Sequence, residues 1–222
     1  MKRLLTALSC STISISSLLA ADTIEESNGI VFIELEDTDS RLGKWKLRDT
    51  NLKNSFSCKG YLEFTGNTPS KGAPESPLEY TFTINKDGLY FLHLRCAKET
   101  VEIRGKERDD VANDCYFRVE GNFEAGPKAA DKHRAQAPLE LLKQDTKFFG
   151  GADNEFVWVS GNRFDPGGHN NKRIAVYHFK AGETYKLVMS GRSQSFKVDC
   201  LAFIHADQPS KKVESLVQTS NK

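Results

Sequence analysis

The stretch YTFTINKDGLYFLHLRCA, Tyr80–Ala97, decides the fold. Tyr80, Phe82 and Ile84 alternate with polar residues on one side of Asn85-Lys86-Asp87-Gly88, and Tyr90, Leu92 and Leu94 alternate on the other. A period of two gives a strand one buried face. Asp-Gly between two such runs is a tight-hairpin signal. Lys180-Ala181-Gly182-Glu183 plays the same part later in the chain.

Working outward, the same alternation marks strands at 30–36, 56–64, 78–84, 89–96, 114–120, 155–160, 173–179, 184–190 and 196–204. About nine short strands separated by turns predict an all-β fold, an antiparallel β-sandwich. Only 135–145 reads as helical, and Pro138 makes it a short surface turn. With no long 3.6-period segment, βαβ folds are excluded, and neither Gly150-Gly151 nor Gly167-Gly168 opens the helix a phosphate cradle needs. Connections 37–55, 97–113 and 121–154 are long, the last a loop insertion; long loops in a compact sandwich carry function.

The 222 residues suit one domain. With 31 Lys+Arg against 30 Asp+Glu, the chain lacks the basic excess of a nucleic-acid binder. Residues 1–20, MKRLLTALSCSTISISSLLA, have the layout of a secretory signal: bases first, then an apolar run cut by Ser and Thr, then small residues. That run is too short to span a membrane. The expected organisation is a signal at 1–20, a linker at 21–29, the sandwich at 30–205 and a polar tail at 206–222, secreted to the periplasm or the exterior. Cys10 leaves with the signal, so Cys58, Cys96, Cys115 and Cys200 remain, an even number for an oxidising compartment. If the strands ending at Cys96 and starting at Cys115 pair, a Cys96–Cys115 bridge closes the loop between them; buried free thiols are the alternative.

Ile33-Glu34-Leu35-Glu36 buries its apolar residues and turns both acids outward, ~7 Å apart along the strand. Asp199 sits inside the apolar run Val198–Ile204. Three hard oxygen donors make a calcium site if they meet; the alternative is a solvated strand face.

The segments IELED (33–37), GYLEFTG (60–66), YTFTINKDGLYFLHLRCA (80–97), NDCYFRVEG (113–121), YHFKAGETYKLVMSGRS (177–193) and VDCLAFI (198–204) together resemble carbohydrate-binding modules of families 6 and 35. The resemblance covers about 30–205. It implies a galactose-binding-like β-sandwich jelly roll, a non-catalytic polysaccharide ligand role and a structural calcium held by Glu34, Glu36 and Asp199. It also implies action beside a glycan-degrading enzyme, here a separate one.

Sugar rings stack their C–H faces on aromatic side chains while amides and charged groups bond the hydroxyls. Trp45, in the polar run GKWKL, is the expected exposed platform; Trp158 suits a core role and a binding role equally. The loop GNRFDPGGHNNKR (161–173) offers Arg163, Phe164, His169, Asn170, Asn171 and Arg173, with an ordinary polar loop as the alternative. Locally basic runs at Arg41–Arg48, Lys128–Arg134 and Arg163–Arg173 favour a sulfated or uronate glycan if they converge. Arg95 is expected to pair across strands with Arg118 and Glu120, and Arg192 to be structural. Two other classes remain. One is a jelly-roll lyase or hydrolase, with His169, Arg173 and Tyr177 as base and cations for β-elimination. The other is an adhesive surface protein.

Overall fold

A computed structural model describes residues 23–127, 135–167, 171–209 and 212–217. The strands begin, in chain order, with β1 Ile24–Glu25, β2 Ile30–Glu34, β3 Trp45–Arg48, β4 Tyr61–Phe64, β5 Glu75–Thr83 and β6 Gly88–Lys98. They continue with β7 Val101–Ile103, β8 Lys106–Arg108, β9 Asp114–Glu120, β10 Glu124–Ala125, β11 Thr146–Phe149 and β12 Ala152–Asp153. The last are β13 Val157–Val159, β14 Asn162–Asp165, β15 Arg173–Ile174, β16 Val176–Phe179, β17 Thr184–Gly191 and β18 Lys197–His205. One short helix, α1 Leu139–Lys143, starts after Pro138 as the sequence implied. Among the described residues no helix is long and apolar enough to cross a membrane.

Two largely antiparallel sheets form the sandwich. One runs β1-β5-β17-β9-β11-β14-β15; the other runs β10-β16-β6-β18-β4-β3, with β12 and β13 on β6 and β2 on β18. β7 and β8 make a separate ribbon. Alternation does the work: Val31, Ile33 and Leu35 from one sheet and Leu78, Tyr80 and Phe82 from the other are buried between them. Aromatic rings fill the centre, with Phe179 and Tyr185 centroids 4.5 Å apart and Phe82 and Phe203 5.1 Å apart. Each segment read as a strand holds at least one. The sequence reading missed the short strands 45–48, 146–149 and 162–165, whose one or two buried side chains make weak patterns.

The turn signals were read correctly as reversals but not as hairpins. Asn85–Asp87 carries the chain from β5 in one sheet to β6 in the other, and 180–183 carries it from β16 back to β17. The two arches lie side by side, Gly182 N donating to Ile84 O (2.8 Å) and Ile84 N to Glu183 O (3.1 Å). A tight turn fixes where the chain reverses; burial of Phe82, Tyr90, Phe179 and Tyr185 between the layers decides which sheet each arm joins.

Three further expectations are corrected. β6 and β9 belong to opposite sheets, so Cys96 and Cys115 are not on paired strands, and all four described cysteines are free thiols. Residues 24–29 are not a linker: β1 pairs with β5, and buried Glu26 accepts hydrogen bonds from the Gly29 and Asn85 amides. Part of the tail joins the fold, since Lys212–Ser215 forms a 3₁₀ turn that buries Val213 beside Ala202 and Ile204. Residues 1–20 lie outside the described residues.

Candidate functional site

The acids meet. β2 runs antiparallel to β18 with Cys200 opposite Glu34. A register shift in β18 lets Val198 and Leu201 both face the core, which frees Asp199 to the outer side. The connection between β3 and β4 then folds over that side and buries Asp199 completely. Ser57 N donates to Asp199 Oδ1 at 2.9 Å, and Ser57 Oγ lies 3.2 Å from the same oxygen and 2.5 Å from Glu34 Oε2. A hydroxyl has one proton, so both Oγ contacts are hydrogen bonds only when one carboxyl is itself protonated. Lys59 N donates to Glu36 Oε1 (3.2 Å), and Glu36 Oε2 is buried without a hydrogen-bond partner.

Arg95 was expected to pair with Arg118 and Glu120. Its guanidinium instead forms a buried ion pair with Asp199, while Arg118 pairs with Glu120 and Asp145. The reason is that 52–59 covers this face of β6, where an unpaired Arg would be costly.

Burial, with repulsion from Asp199 and Asp37, pushes Glu34 up to about 7 against its Ser57 bond. Burial and the Glu34 charge push Glu36 up to about 7 as well. Asp199 is also raised by burial, which Arg95 and Ser57 only partly offset. Both glutamates line a groove of about 860 Å³ with Phe32, Asp37, Asp39 and Lys59, so solvent reaches them. Among the described residues, no three His, Cys, Asp or Glu side chains are arranged to hold a metal as they stand.

The covering segment has a second end. Lys53 Nζ reaches Glu155 Oε2 at 2.7 Å, Asn54 Nδ2 donates to Glu155 Oε1 at 2.8 Å, and Phe156 N donates to Lys53 O at 3.1 Å. Phe56 is buried with Tyr61, Ala97 and Phe156. Arg95 joins both ends: it donates to the Asn54 carbonyl and lies 5.3 Å above the Phe156 ring.

Two expected sugar contacts are withdrawn into the core. Trp45 is 1% exposed, packs tilted against Phe64 with ring centroids 5.0 Å apart and donates Nε1–H to Ser76 O at 2.9 Å, so it offers no platform. Its flanking lysines suggested a loop, but strand alternation turns it inward from β3. Phe164 is fully buried against Phe148 for the same reason. Tyr177, cast as a lyase residue, is buried among Phe123 and Phe179, out of reach of any substrate. Trp158 is half-buried on the outer face of the nine-stranded sheet, packed with Ala202, Ile204 and Val213. Arg192 is structural as expected, held by Asp114 at 2.6 and 2.7 Å.

The rest of the 161–173 loop reaches a different surface. β14 and β15 form a hairpin at the edge of the seven-stranded sheet, and Arg173 donates to Asn171 Oδ1. Arg163 lies 5.3 Å over the half-buried Phe149 ring and Lys172 4.5 Å over it. Beside them a depression of about 270 Å³ is lined by Tyr116, Asp145, Lys147, Asp165, Gly167 and Arg192. Register explains the grouping: Tyr116 lies opposite Lys147, and Lys147 opposite Asp165. Burial pushes the Asp165 carboxyl up, but the Lys147 ion pair and the Gly167 amide outweigh it and hold it below its usual value. Among the described residues, no carboxylate lies within ion-pair distance of Arg163, Lys172 or Arg173. His169, Asn170 and Lys128–Arg134 lie outside the described residues. Arg48 pairs with Glu63 at the β3 edge of the other sheet, apart from this cluster.

Sequence reasoning missed Ser57, Tyr116 and Phe149. For Phe149 the signal was faint: Thr146-Lys147-Phe148-Phe149 sets two aromatics side by side, and only the fold turns Phe148 inward and Phe149 outward. For Ser57 there was none, because a loop serine meets Asp199 only after folding.

No family model and no curated protein matches the chain. Solved structures resemble it at low identity. A GH26-CBM35 β-(1,4)-mannanase of Podospora anserina has a TM-score of 0.46 and 12% identity, over 83% of this chain and 29% of that one. A ruminal GH26 endo-β-1,4-mannanase gives 0.43 and 16%, over 83% and 27%. The mosquito-larvicidal Cry4Aa toxin of Bacillus thuringiensis gives 0.44 and 12%, over 84% and 25%. The chain spans less than a third of each of these proteins.

Proposed function

We propose that this chain is a secreted, non-catalytic glycan-binding module that prefers an anionic polysaccharide, acts beside a separate glycan-degrading enzyme and carries a structural calcium. The observation that carries the glycan reading is the outer face at β9, β11 and the β14–β15 hairpin. There Tyr116 lines the depression with the paired groups Lys147, Asp145, Asp165 and Arg192, and beside it Arg163 and Lys172 lie over the Phe149 ring and, with Arg173, have no carboxylate within ion-pair distance among the described residues. Aromatic faces take the sugar's C–H surface, and cations without carboxylate partners take sulfate or uronate oxygens. The 161–173 loop thus keeps the binding role, with Phe149 and Tyr116 in place of Trp45.

The acid cluster fits a calcium ion in its chemistry. Glu34 and Glu36 are hard donors, both raised chiefly by burial, Glu34 also by Asp199 and Asp37 and Glu36 also by Glu34, and one Glu36 oxygen is buried without a partner. These two would hold the ion, with Asp199 behind them through Ser57. Bound calcium would neutralise charge that the fold leaves uncompensated.

The test is retention of the full chain on immobilised neutral, uronate and sulfated polysaccharides across a salt series. Retention on an acidic glycan, weakening as salt screens it, is expected. Phe149→Ala and Arg163→Ala are each expected to weaken it about tenfold. Unchanged retention in both variants would place the site elsewhere. Release of new reducing or unsaturated ends would make the protein an enzyme.

A further inference from the structure

We propose that residues 53–59 and Arg95 form a strut that transmits cation occupancy at Glu34 and Glu36 to the 155–163 segment, which leads into the glycan-binding hairpin. The inference rests on the calcium reading above and goes beyond it, since a structural ion need not act on the sugar-binding face.

The strut has two anchored ends and a shared middle. At the acid end, Ser57 bonds Glu34 and Asp199 through its hydroxyl and amide, and Lys59 bonds Glu36 through its amide and Asp37 through Nζ (2.7 Å). At the far end, Lys53 and Asn54 hold the Glu155 carboxylate, and the Lys53 backbone exchanges hydrogen bonds with Asn154 and Phe156. In the middle, Arg95 bonds Asp199 and the Asn54 carbonyl and stacks on Phe156, so one buried guanidinium touches the acid cluster, the strut and the far segment.

Phe156 leads into β13, Val157–Val159, and only Ser160 and Gly161 separate β13 from β14, which carries Arg163. Gly161 has a positive φ of 81° and a Cβ there would meet nothing, so this joint is an unpacked turn. The position of 155–159 on β6 is therefore set by the strut and strand pairing. An ion pulling Glu34 and Glu36 together changes what Ser57 and Lys59 must bond, and the rigid middle carries that change to Glu155 and Phe156. Both ends then share one ordering equilibrium: fixing one lowers the conformational freedom the other must lose.

Hydrogen exchange of the full chain in calcium and in chelator tests this, with calcium binding measured separately by titration calorimetry. Calcium is expected to slow amide exchange at 53–59 and, about tenfold, at 155–163. Glu155→Ala, which removes the anchor of Lys53 and Asn54 at the end away from the acids, is expected to keep calcium binding but lose the calcium-dependent protection at 155–163. Arg95→Lys, which keeps the charge but loses the fork, is expected to do the same. Calcium binding that protects 53–59 alone would overturn the strut while leaving the calcium reading intact. Protection of 155–163 surviving in both variants would overturn it too. No calcium binding by the wild-type chain would remove both.

Discussion

At the scale of single residues, the ion pair of Arg95 and Asp199 is the most consequential contact. Both groups are almost fully buried, so removing one strands the other's charge away from water. Arg95→Met is expected to cost about 3–5 kcal/mol of unfolding free energy in urea titrations, and adding Asp199→Leu to recover most of it. A single variant within about 0.5 kcal/mol of wild type would show that water reaches the pair.

Glu34 and Glu36 make the metal-free protein pH-sensitive. Their carboxyls rise from 4.5 to about 7 on folding, so the folded state binds protons more tightly than the unfolded one. Their contribution is present in full below 4.5 and is lost as pH rises through 7. His93 acts in the opposite sense: burial lowers its imidazole to about 4, and that contribution is lost only as pH falls below 6.5. Between about pH 6.5 and 8.5 in chelator, the melting midpoint is therefore expected to fall, and Glu34→Gln with Glu36→Gln to flatten the trend. A midpoint that climbs over this range would mean that neither acid is raised.

At the scale of elements, β3 and β17 show what one side chain can hold. β3 has three outward residues and one buried one, so Trp45 alone fixes it to the core against Phe64. Trp45→Ala is expected to cost about 3–5 kcal/mol by cavity formation, seen as a lower denaturation midpoint. Trp45→Phe, which keeps an aromatic ring against Phe64, is expected to cost less. Gly191 closes β17 beneath the Phe64 ring, where an added Cβ would stand 2.1 Å from Cε2. The ring is locked by Trp45 and cannot retreat, so Gly191→Ala is expected to destabilise by about 1–3 kcal/mol through overpacking. Phe64→Leu in the same chain is expected to relieve part of that.

At the scale of the whole molecule, stability comes from one aromatic-filled core between the sheets without a covalent cross-link among the described cysteines. Cys58 is exposed; Cys96, Cys115 and Cys200 are buried, and burial pushes their thiols far up. A thiol reagent is expected to modify Cys58 in the native protein and the other three only after unfolding. Reductant is expected to leave the melting midpoint unchanged; a lowered one would reveal a bridge.

The all-β architecture was legible in the chain alone, because alternation is a local property that each segment such as Tyr80–Ala97 carries whole. The family resemblance named Glu34, Glu36 and Asp199 as one set, but the residues themselves left open whether they meet; the pairing of β2 with β18 brings them together. The rest came from packing. Which sheet each arm of a turn joins, that Trp45 and Phe164 face inward, that Arg95 meets Asp199 and that Ser57 bridges two acids all depend on packing between residues tens of positions apart. Hydrophobic burial is non-directional: it shows in a sequence as which residues must leave water, and only the closed sandwich specifies beside what.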